Sequence, residues 1–407
     1  MDWKQTPARD SGMNNRYQQP QMQDIEQLIS RTRRQFLITA SSMVGVTALL
    51  LGGEALFSRP NPLAFLKNPT CVNNSSGTGG LSAANPVTMT VCQGSKSVTF
   101  FPFYVAQQQG FFAAQGLKIA DPAILQVGSQ VAAAVKADRY QIGNGVITDA
   151  FGWASTDSGA RIVGAFINAY TVDIIVTKQF EQEMGVSPTS TLPNKVNALR
   201  GKTIGITGPG SATQGLLTYL FRKEGMNAAK DIKQVSLGAN SAAALAALKS
   251  GRVDALSFIL PMGQLVEVQG IGDRLISPMR GDIPGLVGDV HGVIYTKQST
   301  IDANPQAIAA YIRAIGQAET FIQSNPAEAK VLLNKYLGLG QTVTDAVYTE
   351  VTPAIAKSPQ ISQAAYNVAG QFHVQAGLVS LIPSYGQLVA TGTIASALGK
   401  GGTSCPS

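Results

Sequence analysis

Histidine is nearly missing from this chain: His291 and His373 are the only two in 407 residues, too few for a histidine-rich metal site, and no metal is expected. Charge is scarce as well. Charged residues make up 14% against 44% apolar ones, which excludes a disordered, solvating chain. No stretch interleaves basic residues with aromatics, so the net charge of +7 does not describe a nucleic-acid surface. Cysteine is limited to Cys71, Cys92 and Cys405. No pair has metal-ligand spacing, and the odd count leaves at least one thiol free or intermolecular. Glycine, in contrast, is abundant. Its 42 residues punctuate an apolar chain long enough for two or three domains and a sizeable core.

Lysine is absent where a nucleotide site would need it. Residues 205–216 read GITGPGSATQGL, a strand-like run followed by a glycine-rich turn. A P-loop needs a Gly-Lys-Ser/Thr ending that is not there. The dinucleotide fingerprint fails too, because Thr213 occupies its third glycine position. No cofactor is therefore expected. What remains is a helix start whose free backbone N–H groups, with the Ser211 and Thr213 hydroxyls, meet a polar or anionic ligand, or else simply cap the helix.

Two other residues sit where open α/β sheets place ligands, at strand ends. Cys92 would need a nearby base or cation to become a nucleophile, and only Lys96 is close in sequence. The alternative is a buried structural thiol. Asp149, in QIGNGVITDAFGW, either binds a donor group of a ligand or caps the next helix.

The N-terminus carries RTRRQFL at 31–37, followed by an uncharged stretch to Gly53. The pair Arg33-Arg34 at the edge of a moderately apolar run resembles a twin-arginine export signal, implying the Tat translocon as a transient partner. No good cleavage site follows, so residues 35–57 are expected to serve as a membrane anchor if they are retained. Residues 58–85 read as a Pro/Gly/Ser/Asn-rich tether. Export would also favour a disulfide between Cys71 and Cys405, the alternative being two free surface thiols, with Cys92 reduced in either case.

From residue 87 the pattern alternates strand and helix. VTMTVC (87–92) has period two, and Pro102 suits the first turn of a helix over 100–109. The cycle repeats through KTIGIT, DIKQVSL and VDALSFIL, each next to a glycine turn and a helical run. Asn304-Pro305 and Asn325-Pro326 open two helices in a more helical last third. Such alternation predicts an α/β fold with mainly parallel sheets flanked by helices.

These segments together resemble a known family. FFPFYVAQQQGFFAAQGLKI (100–119), LRGKTIGITGPGSATQGLLTYLFRKEGM (199–226), LKSGRVDALSFILP (248–261) and IDANPQAIAAYIRAIGQAETFIQSNPAEA (301–329) are similar, in order, to blocks of one group of ABC-transporter solute-binding proteins. Members bind aliphatic sulfonates, taurine, nitrate or thiamine-pyrimidine precursors. The resemblance implies a two-lobed, type II periplasmic-binding-protein-like fold with a ligand cleft between the lobes, located outside the cytoplasm. It implies a small, anionic or pyrimidine-type ligand, an ABC permease as partner and no catalysis.

Lobe one would comprise 86–172 and 289–398, lobe two 173–288, with 1–57 as signal and 399–407 as tail. The family's cleft positions fall here on Gln93, Ser95, Thr99 and Phe100, on Asn144, Thr148 and Asp149, on Gly210, Ser211, Ala212 and Thr213, and on Leu260. Relatives of the fold include a cysteine-dependent sulfinate desulfinase, which keeps Cys92 as an enzymatic alternative. A ligand sensor acting on a membrane partner is a further one.

Overall fold

Short β-branched runs, each set off by a glycine turn from an apolar-striped helix, build the computed structural model, which describes residues 81–399. Its strands are β1 Val87–Met89, β2 Val91–Gln93, β3 Leu117–Ile119, β4 Ala123–Ile124, β5 Ile142–Val146, β6 Ala160–Ile167, β7 Val172–Thr177, β8 Thr203–Ile206, β9 Lys233–Ser236, β10 Ala255–Ile259, β11 Gly272–Ile276 and β12 Gly292–Lys297. The expectations for Arg33, Arg34, residues 35–57, Cys71 and Cys405 lie outside the described residues. Among the described residues no helix is long and apolar enough to cross a membrane.

Two five-stranded sheets form, in the orders β4-β2-β5-β12-β6 and β11-β7-β10-β8-β9, beside a small β1-β3 pair. Helices flank both sheets, as the alternation predicts. The sheets are mainly parallel, as expected, with one strand in each, β12 in the first and β7 in the second, running against the common direction. β2 pairs in parallel with β4 and β5, while β12 runs antiparallel to β5 and β6. In the second sheet β8 is parallel to β9 and β10, while β7 runs antiparallel to β10 and β11. The reason is topological. β7 and β12 each follow a passage of the chain from one sheet to the other. No helical crossover within the sheet brings them round to its common direction.

The run 87–92 is also not one strand. Thr90 interrupts it, accepting the Gln141 and Ile142 N–H groups on its carbonyl and giving its own N–H to the Gln141 side chain at 2.9 Å. Val87–Met89 then pairs with β3 while Val91–Gln93 enters the large sheet.

Side-chain alternation decides which core each residue joins. On β7, Ile174 and Val176 face one cluster with Leu216 and Phe221, whereas Ile175 faces the other with Leu256 and Phe258. The first sheet has its own core, in which helix Pro305–Ser324 buries Ile308, Tyr311, Ile315 and Ile322 at helical spacing. Leu81, in the segment read as tether, packs against that core.

Candidate functional site

The turns at the ends of β2, β4 and β5 face those at the ends of β8, β9 and β10 across a cleft. It encloses about 460 Å³, open solvent at its mouth included. Gly94, Ser95, Ser97, Thr99 and Phe100 line it after β2, Gln126 and Gly128 after β4, and Gly145, Val146 and Asp149 around the end of β5. The opposite wall is Thr207, Ser211, Ala212 and Thr213, with Ala239 and Ile259. Thr171 and His291, from the two passages between sheets, complete the lining. The walls touch at one rim, where the Ser129 hydroxyl donates to the Pro209 carbonyl at 3.3 Å.

Of the expected cleft residues, Ser95, Thr99, Phe100, Asp149, Ser211, Ala212 and Thr213 meet in this lining; Gln93, Asn144, Thr148, Gly210 and Leu260 are not part of it. Gln93 and Asn144 lie beneath the first wall. Gln93 donates to Ser95 O and to the Tyr336 hydroxyl, and Asn144 accepts from the Tyr311 hydroxyl at 2.7 Å. Thr148 bonds His373 Nε2 at 2.8 Å behind the cleft. Gly210 gives its N–H to the Gln214 side chain, and Leu260 is fully buried.

Sequence reading missed Thr207, Gln126, Gly128 and His291. The strand-end rule pointed to the first three, had the short β4 been recognised. His291 carried no local signal. Gln126 stands out for its backbone, a left-handed φ of 68° on a non-glycine residue, a strain that concentrates at functional sites.

The second wall is a closed hydroxyl relay. Ser211 donates to Gly208 O at 2.6 Å, so in its contact with Thr213 at 2.7 Å it must accept. Thr213 has then used its proton, and Thr207 must donate in the Thr207–Thr213 contact at 2.9 Å. All three hydroxyl protons are held inside the protein. Thr213 also accepts the Thr207 N–H, and the Ser211 oxygen caps the helix by accepting from Gln214 N. The donors this wall can still offer are the first N–H groups of helix Ala212–Lys223.

The first wall holds a carboxyl. Asp149 is buried; its Oδ2 accepts from Val146 N at 3.0 Å, and its Oδ1 has no hydrogen-bond partner. Burial pushes its pKa up to about 7, with the Val146 N–H pulling the other way. Gly128 is required beside it, because a Cβ there would overlap the carboxyl group. No lysine or arginine lines the cleft. Burial, with His373 nearby, pushes His291 down to about 3, so its ring is neutral at physiological pH.

Cys92, the middle residue of β2, is fully buried, its thiol near the Ile142 and Val131 carbonyls, and burial pushes its pKa up to about 12. That is the environment of a structural thiol. Among the described residues no cluster of His, Cys, Asp and Glu could hold a metal ion.

Residues 97–329 match the NMT1/THI5-like protein family. The chain is 26% identical over 243 residues to the riboflavin-binding protein RibY of Chloroflexus aurantiacus, an alignment that covers 57% of this chain and 61% of that protein, so the chain spans less than two thirds of that relative's length. Among solved structures it is similar to a protein of Bordetella bronchiseptica RB50, at 22% identity and a TM-score of 0.67 over 77% of this chain and 97% of that one. It is also similar to the alkanesulfonate-binding protein SsuA of Xanthomonas axonopodis pv. citri bound to MOPS, at 20% identity and a TM-score of 0.59 over 75% and 98% of the two chains. The chain belongs to the NMT1/THI5-like family and has the periplasmic-binding-protein-like fold of ABC-type solute-binding proteins.

Proposed function

We propose that the protein is an exported solute-binding protein that holds a small molecule between two lobes and delivers it to an ABC importer. The observation that carries this reading is the cleft itself. Its walls are strand-end turns from two separate sheets, and its base is the two passages of chain that join them. Such a site closes by hinge motion and needs no reacting group. Lobe one is assigned to 86–172 and 289–398 and lobe two to 173–288. Arg33 and Arg34 are assigned to Tat export, residues 35–57 to retention at the inner membrane and Cys71–Cys405 to a disulfide.

The desulfinase-like alternative finds no support at Cys92, whose thiol is buried and protonated. Native mass spectrometry of the protein purified from its own host tests the main reading. A single small molecule, retained at one per chain and returned unchanged, is the expected result. A protein that carries none and shows no saturable uptake of host extract components would overturn it, and turnover abolished by Cys92→Ser would make it an enzyme.

A further inference from the structure

The resemblance leaves open an anion, such as a sulfonate or nitrate, or an uncharged heterocycle. We infer that the cleft takes an uncharged solute that offers an N–H donor to Asp149 and a carbonyl-type acceptor to the start of helix Ala212–Lys223, as cyclic amides and imides do. This rests on the solute-binding reading above.

Three observations weigh against an oxyanion as the favoured ligand. First, the lining contains no lysine or arginine, and its one histidine is neutral. Second, an oxyanion needs several donors, but on the second wall the Thr207, Thr213 and Ser211 protons are already committed in a relay ending on Gly208 O, which leaves hydroxyl donors only at Ser97 and in the Thr99–Thr171 pair. Third, the opposite wall presents an acceptor. Asp149 is 3% exposed, lies in the lining, and has one carboxyl oxygen satisfied by Val146 N and the other without a partner. A buried carboxyl oxygen without a donor is costly, and a ligand N–H removes that cost. Above about pH 7, where the carboxyl is ionised, the same oxygen adds repulsion beside an anion in a cleft with no cation to offset it.

The two walls therefore ask for opposite halves of one functional group. Helix-start N–H groups want an acceptor, and Asp149 wants a donor. An amide or imide edge supplies both without net charge. Phe100 and Ile259 in the lining provide apolar surface for the body of such a ring.

Calorimetry at pH 8 on the full chain, freed of bound ligand by reversible unfolding, tests this with four probes: uracil, riboflavin, methanesulfonate and nitrate. Saturable binding of uracil or riboflavin, absent for both anions, is expected. Asp149→Asn keeps an oxygen for Val146 N but loses the charge-assisted bond, so it should weaken that binding about tenfold or more. Tighter binding of methanesulfonate or nitrate, or anion binding strengthened by Asp149→Asn, would overturn the inference while leaving the cleft as a solute site. If no probe binds, the molecule found on protein from its own host decides. A neutral N–H donor supports the inference, an oxyanion refutes it, and no bound molecule defeats the solute-binding reading itself.

Discussion

Asp149 holds a carboxyl whose proton affinity is set by burial without an ionic partner. The titratable groups around it are Tyr295 on β12 and Tyr170 and His291 on the passages between sheets. Burial keeps all three uncharged near neutrality. Its folded pKa of about 7 lies above the ordinary 3.8, so between those values the folded state binds the proton more tightly than the unfolded chain. The contribution to stability is therefore full in acid and is lost as pH rises from about 4 through about 7, by on the order of 4 kcal/mol at most. Asp149→Asn removes this slope. Thermal unfolding across pH should show the variant gaining on the wild type up to about pH 7 and holding level above it; parallel curves would show that the carboxyl is not held in this way. Ser211 behaves differently from its sequence-based expectation as a ligand donor, because its proton goes to Gly208 O. Ser211→Ala should cost about 1 kcal/mol of stability as a lost helix cap. Denaturant midpoints measure this, and an unchanged midpoint would count against the capping role.

At the scale of elements, helix Gln363–Ala376 is the informative one. Tyr366 and Ala369 join the core of the first sheet, while Phe372 and Ala376 join that of the second. Its second half packs Phe372 against Tyr219 on helix Ala212–Lys223, with ring centroids 4.7 Å apart. Phe372→Ala should cost about 3–5 kcal/mol through the lost burial and the cavity left behind. Because the anchored helix start forms one cleft wall, ligand affinity should fall as well. Equal affinity at full occupancy of the folded state would show that the helix is a bystander. Helical periodicity in 363–376 shows that one stripe is apolar. It does not show that the stripe meets two different cores, because that depends on where residues far away in sequence have packed. The strands were more legible. β8 and β10 each follow a glycine turn and read as apolar runs, while β2 was hidden because Thr90 divides a continuous alternation.

For the whole molecule, an ionic clasp joins the second sheet to a helix of the first core. Arg274 on β11 pairs with Glu350 of helix Gln341–Val351, whose Val343, Val347 and Val351 belong to the first core. Arg274 also bonds Glu267 at 2.9 Å, and the Gln264 amide donates to Glu350 at 3.3 Å. The Arg274 side chain is only 8% exposed, so screening by solvent is limited. On the solute-binding reading, this pair restrains movement of the second sheet against the first core. Glu350→Gln leaves Arg274 with Glu267 but removes the cross-core charge pair. It should shift the population toward open forms and raise the apparent Kd several-fold, on the order of 1 kcal/mol. Small-angle scattering with and without ligand reads the population; identical profiles and affinities in the variant would remove the clasp from the closing mechanism.

Sequence alone determined the α/β class, the family and the turn positions from which a cleft would be built, because these depend on local periodicity, glycine placement and ordered motifs. It also located Asp149, Ser211 and Thr213, whose strand-end positions are local properties. Tertiary structure decided what those groups do. The direction of the Thr207–Thr213–Ser211 relay follows from one short contact to Gly208 O, and the free oxygen of Asp149 follows from burial against Gly128. The bridging of Arg274 to Glu350, 76 residues away, likewise needs the folded chain. Hydrogen-bond direction, burial and long-range pairing are set by atoms that come together only on folding, so no reading of spacing could have given the cleft its chemical character.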